Sequence, residues 1–264
     1  MKKQIRGFEM AFEDTGGAGI PLLLIHGYPL DRTLWTEQTR GLANVARVIA
    51  PDLRGFGESG LPSGAVTIDT YADDVNALLD AIGVKTAVVA GLSMGGYVAF
   101  AFYRKYPERV RALIFANTKA GADSAEGKKG RDDSATLARE KGAAAIAERM
   151  LPKMLTPKTA AERPSVVASV NTMMSRQSVD GVVGALMAMR DRPDSTPTFA
   201  QISVPTFVIT GAEDNLIPPK ESELMRDGIR GAKLVVIPGA AHLSNVEQPE
   251  AFNRAVHDFL KSIS

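Results

Sequence analysis

Three side chains far apart in this sequence, Ser93, Asp214 and His242, are of the types that nucleophilic catalysis requires. Ser93 sits in Gly91-Leu92-Ser93-Met94-Gly95, a G-x-S-x-G pattern. An apolar, β-branched run at 87–90 stops at Gly91, and a helical pattern starts just after Ser93 and ends before Pro107. A strand that turns so sharply into a helix brings two backbones together, which glycines without Cβ atoms at 91 and 95 permit. The serine is then held at the apex in a strained conformation with its hydroxyl exposed, the geometry of a nucleophile elbow. The Met94 N–H, at the positive end of the new helix, faces the same side. Alone, the pentapeptide fits an ordinary Gly-rich turn equally well. A base, an acid and a second oxyanion donor decide between the two.

A serine hydroxyl is a poor nucleophile until a base accepts its proton. Histidine suits that task near neutral pH, and a carboxylate fixes its tautomer. The chain has three histidines. His257 lies within the last helical pattern and reads as a surface or packing residue. His26 directly precedes Gly27 and reads as shaping the loop below the oxyanion. His242 stands in a Gly/Ala loop after a strand and is the candidate base. For the acid, Asp214 fits G-x-x-D-x-x-x-P with Gly211 and Pro218, with the adjacent Glu213 as the fallback. Asp52 reads as a structural ion-pair residue. The backbone N–H groups of Met94 and Tyr28 are the expected oxyanion donors.

These residues need a scaffold that gathers them. Residues 4–12 followed by Asp14-Thr15-Gly16-Gly17 read as an opening antiparallel hairpin. Strands are expected at 21–25, 46–50, 87–90, 110–116, 206–210 and 233–237. Helices are expected at 34–42, 67–82, 219–229 and 249–263, with 67–82 and 249–263 clearly amphipathic. Between 119 and 197 the texture changes to Ala-rich helical patterns without a strand. There Ser124, Ser165 and Ser178 are helix starts, and Pro152, Pro157, Pro164, Pro193 and Pro197 are boundaries. Strands alternating with helices imply a mostly parallel sheet covered on both faces. The expected organisation is a core of 1–118 and 198–264 with a helical cap (lid) inserted at 119–197. Ligands bind such sheets at the carboxyl ends of the strands. Ser93, Asp214 and His242 each follow a strand there, in that order.

The totals exclude other classes. The 264 residues carry a net charge of +1, which gives no electrostatic case for nucleic acid or an anionic membrane. The absence of cysteine excludes thiol catalysis and Cys-ligated metals. No apolar stretch approaches the roughly 20 residues needed to span a bilayer, and no signal-like apolar segment follows Lys2-Lys3. The expectation is a cytoplasmic protein, monomer or homodimer, without metal or organic cofactor.

Six motifs occur in order: His26-Gly27-Tyr28-Pro29, the Gly-rich 52–59 loop, Gly91 to Gly96, Tyr106-Pro107-Glu108-Arg109-Val110, Gly211-Ala212-Glu213-Asp214, and His242 with Glu247-Gln248-Pro249-Glu250. On these the chain resembles the α/β-hydrolase fold superfamily over essentially its whole length. Within it, the chain is similar to serine esterases, 3-oxoadipate enol-lactonases and cofactor-free haloperoxidase or perhydrolase-like enzymes. A serine at 93 departs from the aspartate of haloalkane and fluoroacetate dehalogenases and epoxide hydrolases. The resemblance implies a carboxylesterase-type serine hydrolase acting on a small ester. An enol-lactonase, a carbon–carbon bond hydrolase, a perhydrolase and a non-catalytic binder on the same fold are the alternatives. Trp35, Met150, Met154 and Met187 are candidate substrate walls, each weighed against a packing role. The Lys128-Lys129-Gly130-Arg131 cluster reads as solvated surface.

Overall fold

The structure, a computed structural model, describes residues 1–263. In chain order its first half contains β1 (Lys2–Ile5), β2 (Phe8–Asp14), β3 (Ile20–Ile25), α1 (Thr36–Leu42), β4 (Ala46–Pro51), α2 (Ile68–Ala81), β5 (Ala87–Leu92), α3 (Met94–Lys105) and β6 (Val110–Ala116). Four helices follow without a strand: α4 (Ala125–Met154), α5 (Pro157–Glu162), α6 (Pro164–Ser175) and α7 (Val179–Arg190). The chain then closes with β7 (Thr206–Gly211), α8 (Pro219–Gly228), β8 (Lys233–Ile237), α9 (Ser244–Glu247) and α10 (Pro249–Ser262).

Successive side chains on a strand point to opposite faces. Leu23, Ile25, Val89, Leu113 and Phe115 therefore enter one buried cluster, while Leu22, Leu24, Val88, Ala90 and Ile114 enter another. A sheet apolar on both faces must be covered on both. α2 and α3 supply Tyr71, Val75, Leu78 and Phe100 to the first cluster, where Phe100 stacks on Phe115 at 4.1 Å. Leu42 of α1 and Phe252, Val256 and Phe259 of α10 close the other side. The insertion helices feed both: Val182 and Leu186 of α7 join the first cluster, Val170, Met173 and Met174 of α6 the second.

The eight strands run in the order β1-β2-β4-β3-β5-β6-β7-β8. From β4 to β8 all neighbours are parallel, and β1 and β2 add an antiparallel edge. The chain moves outward from β3 to β4, then returns to place β5 on the other side of β3. That reversal opens a crevice at the carboxyl ends of β3 and β5.

Some boundaries differ from the sequence reading. The opening hairpin turns at Arg6 and Gly7, both with positive φ (42° and 86°), not at 14–17. Residues 14–17 connect β2 to β3, which are not paired with each other. Ser124 and Ser178 cap α4 and α7 as expected, accepting the Gly127 and Gly181 N–H groups. Ser165 does not cap α6, because Pro164 already supplies the first helical residue; Thr156 caps α5 instead. Pro152 lies within α4 rather than bounding it, and the backbone departs from helix at Gly142, where φ is 78°.

Candidate active site

β5 ends at Leu92 and α3 starts at Met94, leaving Ser93 alone to reverse the chain. It does so at φ 55°, ψ −117°, a conformation that costs a non-glycine residue about 1–3 kcal/mol. Its backbone is pinned on both sides: the N–H donates to Ala116 O at 3.0 Å, and the carbonyl accepts from the Thr118 hydroxyl at 2.7 Å. A Cβ at Gly91 would fall on the Gly95 carbonyl, and one at Gly95 on the carbonyl oxygen of Ile25. Gly95→Ala is therefore expected to cost about 1–3 kcal/mol, several degrees of Tm in a thermal melt. An unchanged Tm would contradict so close an approach.

His242 and Asp214 meet behind this turn. His242 Nδ1 lies 2.9 Å from Asp214 Oδ2, with both side chains fully buried. Donation from Nδ1–H to the carboxylate leaves Nε2 as the accepting nitrogen. Nε2 is buried and has no hydrogen-bond partner. Ser93 does not bond to it in this structure; hydrogen bonds between catalytic groups are often long before substrate binds. Asp214 is held from several directions: Oδ1 accepts the N–H groups of Leu216 and Ile217, each at 2.9 Å, and Oδ2 also accepts the Asn117 amide at 2.9 Å. Burial alone pushes this carboxyl up. The His242 hydrogen bond and charge, the Ile217 N–H and the Asn117 amide outweigh it and hold Asp214 below its ordinary value.

Across the crevice, the loop after β3 carries Gly27 and Tyr28. A Cβ on Gly27 would lie 3.1 Å from that of Ser93, so the loop passes directly over the elbow. Neither the Tyr28 nor the Met94 backbone N–H donates to another described protein group. His26 stiffens the loop below: Nδ1 donates to Gly27 O at 2.8 Å and Nε2 accepts the Leu53 N–H at 3.0 Å. Burial keeps its pKa low. His257 is on α10, beside Asp258. Asp52 takes the Arg32 guanidinium and the Arg32 and Glu58 N–H groups, a structural role.

A cavity of about 100 Å³ opens over Ser93, walled in part by Tyr28, Tyr97, Met150, Met189 and Ile217. Of the four candidate walls, it receives Met150 alone. Trp35 is fully buried on the far side of the sheet, tilted against Phe252 at 6.1 Å. Met154 is fully buried in the same cluster. Met187 faces a groove between α7 and the 61–69 segment. Met189 reaches Ser93 instead, because two residues along a helix rotate a side chain about 200°.

Asn117, passed over in the sequence, and Glu247, quoted there only as part of a motif and without a role, prove central. Asn117, directly after β6 and at φ 45°, donates to Asp214 and to Ala241 O (3.1 Å) while accepting the Ser244 hydroxyl at 2.6 Å. With Ala116 and Thr118 on Ser93, this one segment ties the elbow to the acid and to the loop of the base. Glu247 is buried beneath that loop; it accepts the Ala241 N–H at 2.6 Å and the Thr156 N–H at 2.7 Å, joining the His242 loop to α5. The sequence signal for Asn117 is only its position beside a strand end; that for Glu247 is its motif after His242. Arg131 corrects the solvated-cluster reading: it turns inward, pairs with buried Asp123 at 3.0 Å and lines the Ser93 cavity.

Residues 20–249 match the family model described as the alpha/beta hydrolase fold. The chain belongs to the α/β-hydrolase fold family. A thermophilic esterase from Thermogutta terrifontis, solved with malate bound, is 43% identical and superposes with a TM-score of 0.95, over 99% of this chain and 97% of that one. The enol-lactonase from Burkholderia xenovorans LB400 is 30% identical with a TM-score of 0.92, over 99% and 100% of the two chains. 3-Oxoadipate enol-lactonase 2 of Acinetobacter baylyi is 33% identical over 87% of this chain and 84% of its own length. This α/β-hydrolase is thus a hydrolytic enzyme by kinship. Among its described residues no helix is long and apolar enough to cross a membrane.

Proposed function

We propose that this α/β-hydrolase cleaves small carboxylic esters through a serine acyl-enzyme. Ser93 attacks the carbonyl carbon while His242 Nε2 takes its proton. Asp214 keeps the imidazole in the required tautomer and stabilises the imidazolium. The developing oxyanion accepts hydrogen bonds from the Met94 and Tyr28 N–H groups, each such donor contributing about 10²–10³ in turnover. His242 returns the proton to the leaving alcohol, then activates the water that clears the acyl group. Helices α4–α7, the 119–197 insertion, act as the cap that shapes the cavity over Ser93. What supports this reading is a strained, partly exposed serine and a buried His242–Asp214 pair with an unpartnered Nε2, both tied to the same 116–118 segment.

Lactone hydrolysis is the second reading, favoured by the two relatives that carry the enol-lactonase name. The relay is the same for both, because the cavity and cap choose the substrate. A panel of 4-nitrophenyl acetate and butyrate, enol-lactones and ring-cleavage dienones separates them. The ester reading expects kcat/KM for butyrate to equal or exceed that for the lactones. A lactone preferred by about a hundredfold, roughly 2.7 kcal/mol, would replace it.

A further inference from the structure

The Ser93 cavity carries charge that the hydrolytic relay does not use. Lys119 and Arg131 line it, and no acidic residue does. Through Tyr28, Arg131, Met150 and Leu216 it adjoins an outer cavity of about 330 Å³, to which Arg149 and Lys153 contribute. The one acid lining that outer space, Asp133, is held by exposed Lys129 at 2.9 Å. Buried Asp123 is the other neutralising group. Its single carboxylate faces three cations, Arg131 at 3.0 Å, Lys119 at 3.5 Å and Arg192 at 2.9 Å. Arg149 has no acidic partner among the described residues and bonds only the Ser134 hydroxyl.

Tyr28 stands where the two cavities meet. Its ring is packed edge-on against Phe56 at 6.4 Å, and its hydroxyl is buried with no hydrogen-bond partner. A buried, unsatisfied hydroxyl carries a desolvation penalty, so a ligand that accepts from it recovers that loss. Burial raises the Tyr28 pKa far out of the physiological range, so the group stays a donor. The charges acting against that rise are those of Arg131 and Arg149, and both line the outer cavity together with Tyr28. An O–H donor beside two incompletely neutralised guanidinium groups has the chemistry of a carboxylate receptor, because the guanidinium fork matches a carboxylate's two oxygens.

We propose that the substrate carries a carboxylate, seated among Tyr28, Arg131 and Arg149, while its ester or lactone carbonyl lies at Ser93. The enzyme then selects anionic esters over neutral ones of the same length. Lys119 and Lys153 add attraction without a fixed geometry, speeding entry of the anion. The carboxylate takes no part in bond making or breaking. This inference rests on the serine-hydrolase reading above.

The test compares 4-nitrophenyl hydrogen adipate with its methyl ester, which share a leaving group and a chain length. Wild type is expected to show kcat/KM at least about tenfold higher for the anion, chiefly through KM, and the ratio should shrink as salt rises. Arg149→Met is expected to cut the ratio about tenfold. Tyr28→Phe, which removes only the hydroxyl, should cut it several-fold. Arg139→Met, on the exposed side of the same helix, should leave it intact. A ratio near one in wild type, or a ratio that neither Arg149→Met nor Tyr28→Phe lowers, overturns the carboxylate site. If such a protein still takes a fluorophosphonate on Ser93, the hydrolase reading survives alone; if Ser93 is neither labelled nor needed for turnover, both fall.

Discussion

Ser93→Ala is expected to lower kcat for 4-nitrophenyl butyrate by about 10⁴–10⁶-fold with little change in KM. Residual turnover would come from the oxyanion donors and binding, which the substitution leaves in place. The same position stores strain, since its φ of 55° is one that side chains beyond Cα resist. Ser93→Gly should therefore be as inactive as Ser93→Ala yet more stable, by about 1 kcal/mol or roughly 2–4 °C in Tm. A kinetic assay and a thermal melt on the two variants separate chemistry from backbone. Activity retained by purified Ser93→Ala, or a Ser93→Gly protein that melts below it, would contradict the elbow described here.

Asp214→Asn should reduce kcat by about 10⁴-fold while leaving the fold intact. The volume is unchanged, and the asparagine oxygen can still accept the Leu216 and Ile217 N–H groups that now reach Oδ1. What changes is the Oδ2 side: an amide NH₂ there can accept neither the His242 Nδ1 proton nor the Asn117 amide, so the imidazole loses the tautomer that leaves Nε2 free. The same variant carries a stability signature. A carboxyl held below its ordinary value stabilises the folded state above the ordinary value, about pH 4, and loses that contribution as pH falls through the folded value. Wild type should therefore shed stability as pH falls below about 4, whereas Asp214→Asn should lack this contribution. Equal acid sensitivity of the two proteins, measured by denaturant unfolding at each pH, would show that the carboxylate is not held as described.

Much of this site was legible because its chemistry sits at places that short-range patterns mark. G-x-S-x-G at a strand-to-helix junction points to Ser93, because only glycines tolerate the approach of Gly91 and Gly95 to neighbouring carbonyls. His242 and Asp214 follow strands whose apolar runs are plain. Positions 110–116 became β6 without adjustment, since an apolar run after Pro107 has few other outcomes. Asn117 was not legible: nothing local distinguishes it from any polar residue ending a strand, and its partners lie 97 and 124 positions away. Three of the four candidate walls, all but Met150, failed for a related reason. Helical periodicity says that Met187 and Met189 face different ways, but not which of them faces Ser93. Arg131 was misread because charge clusters are ordinarily solvated, and only the fold brings buried Asp123 against it.

The central claim is that the Ser93 hydroxyl and the His242 imidazole act as one unit across the crevice between β5 and the loop after β8. Reaction with a fluorophosphonate, followed by peptide mass mapping and rate measurement in wild type and His242→Ala, tests that unit directly. One adduct per chain on Ser93, formed at least about 100-fold more slowly when the imidazole is gone, is the predicted result. An adduct at another residue, or a His242→Ala protein that reacts at the wild-type rate, would contradict it.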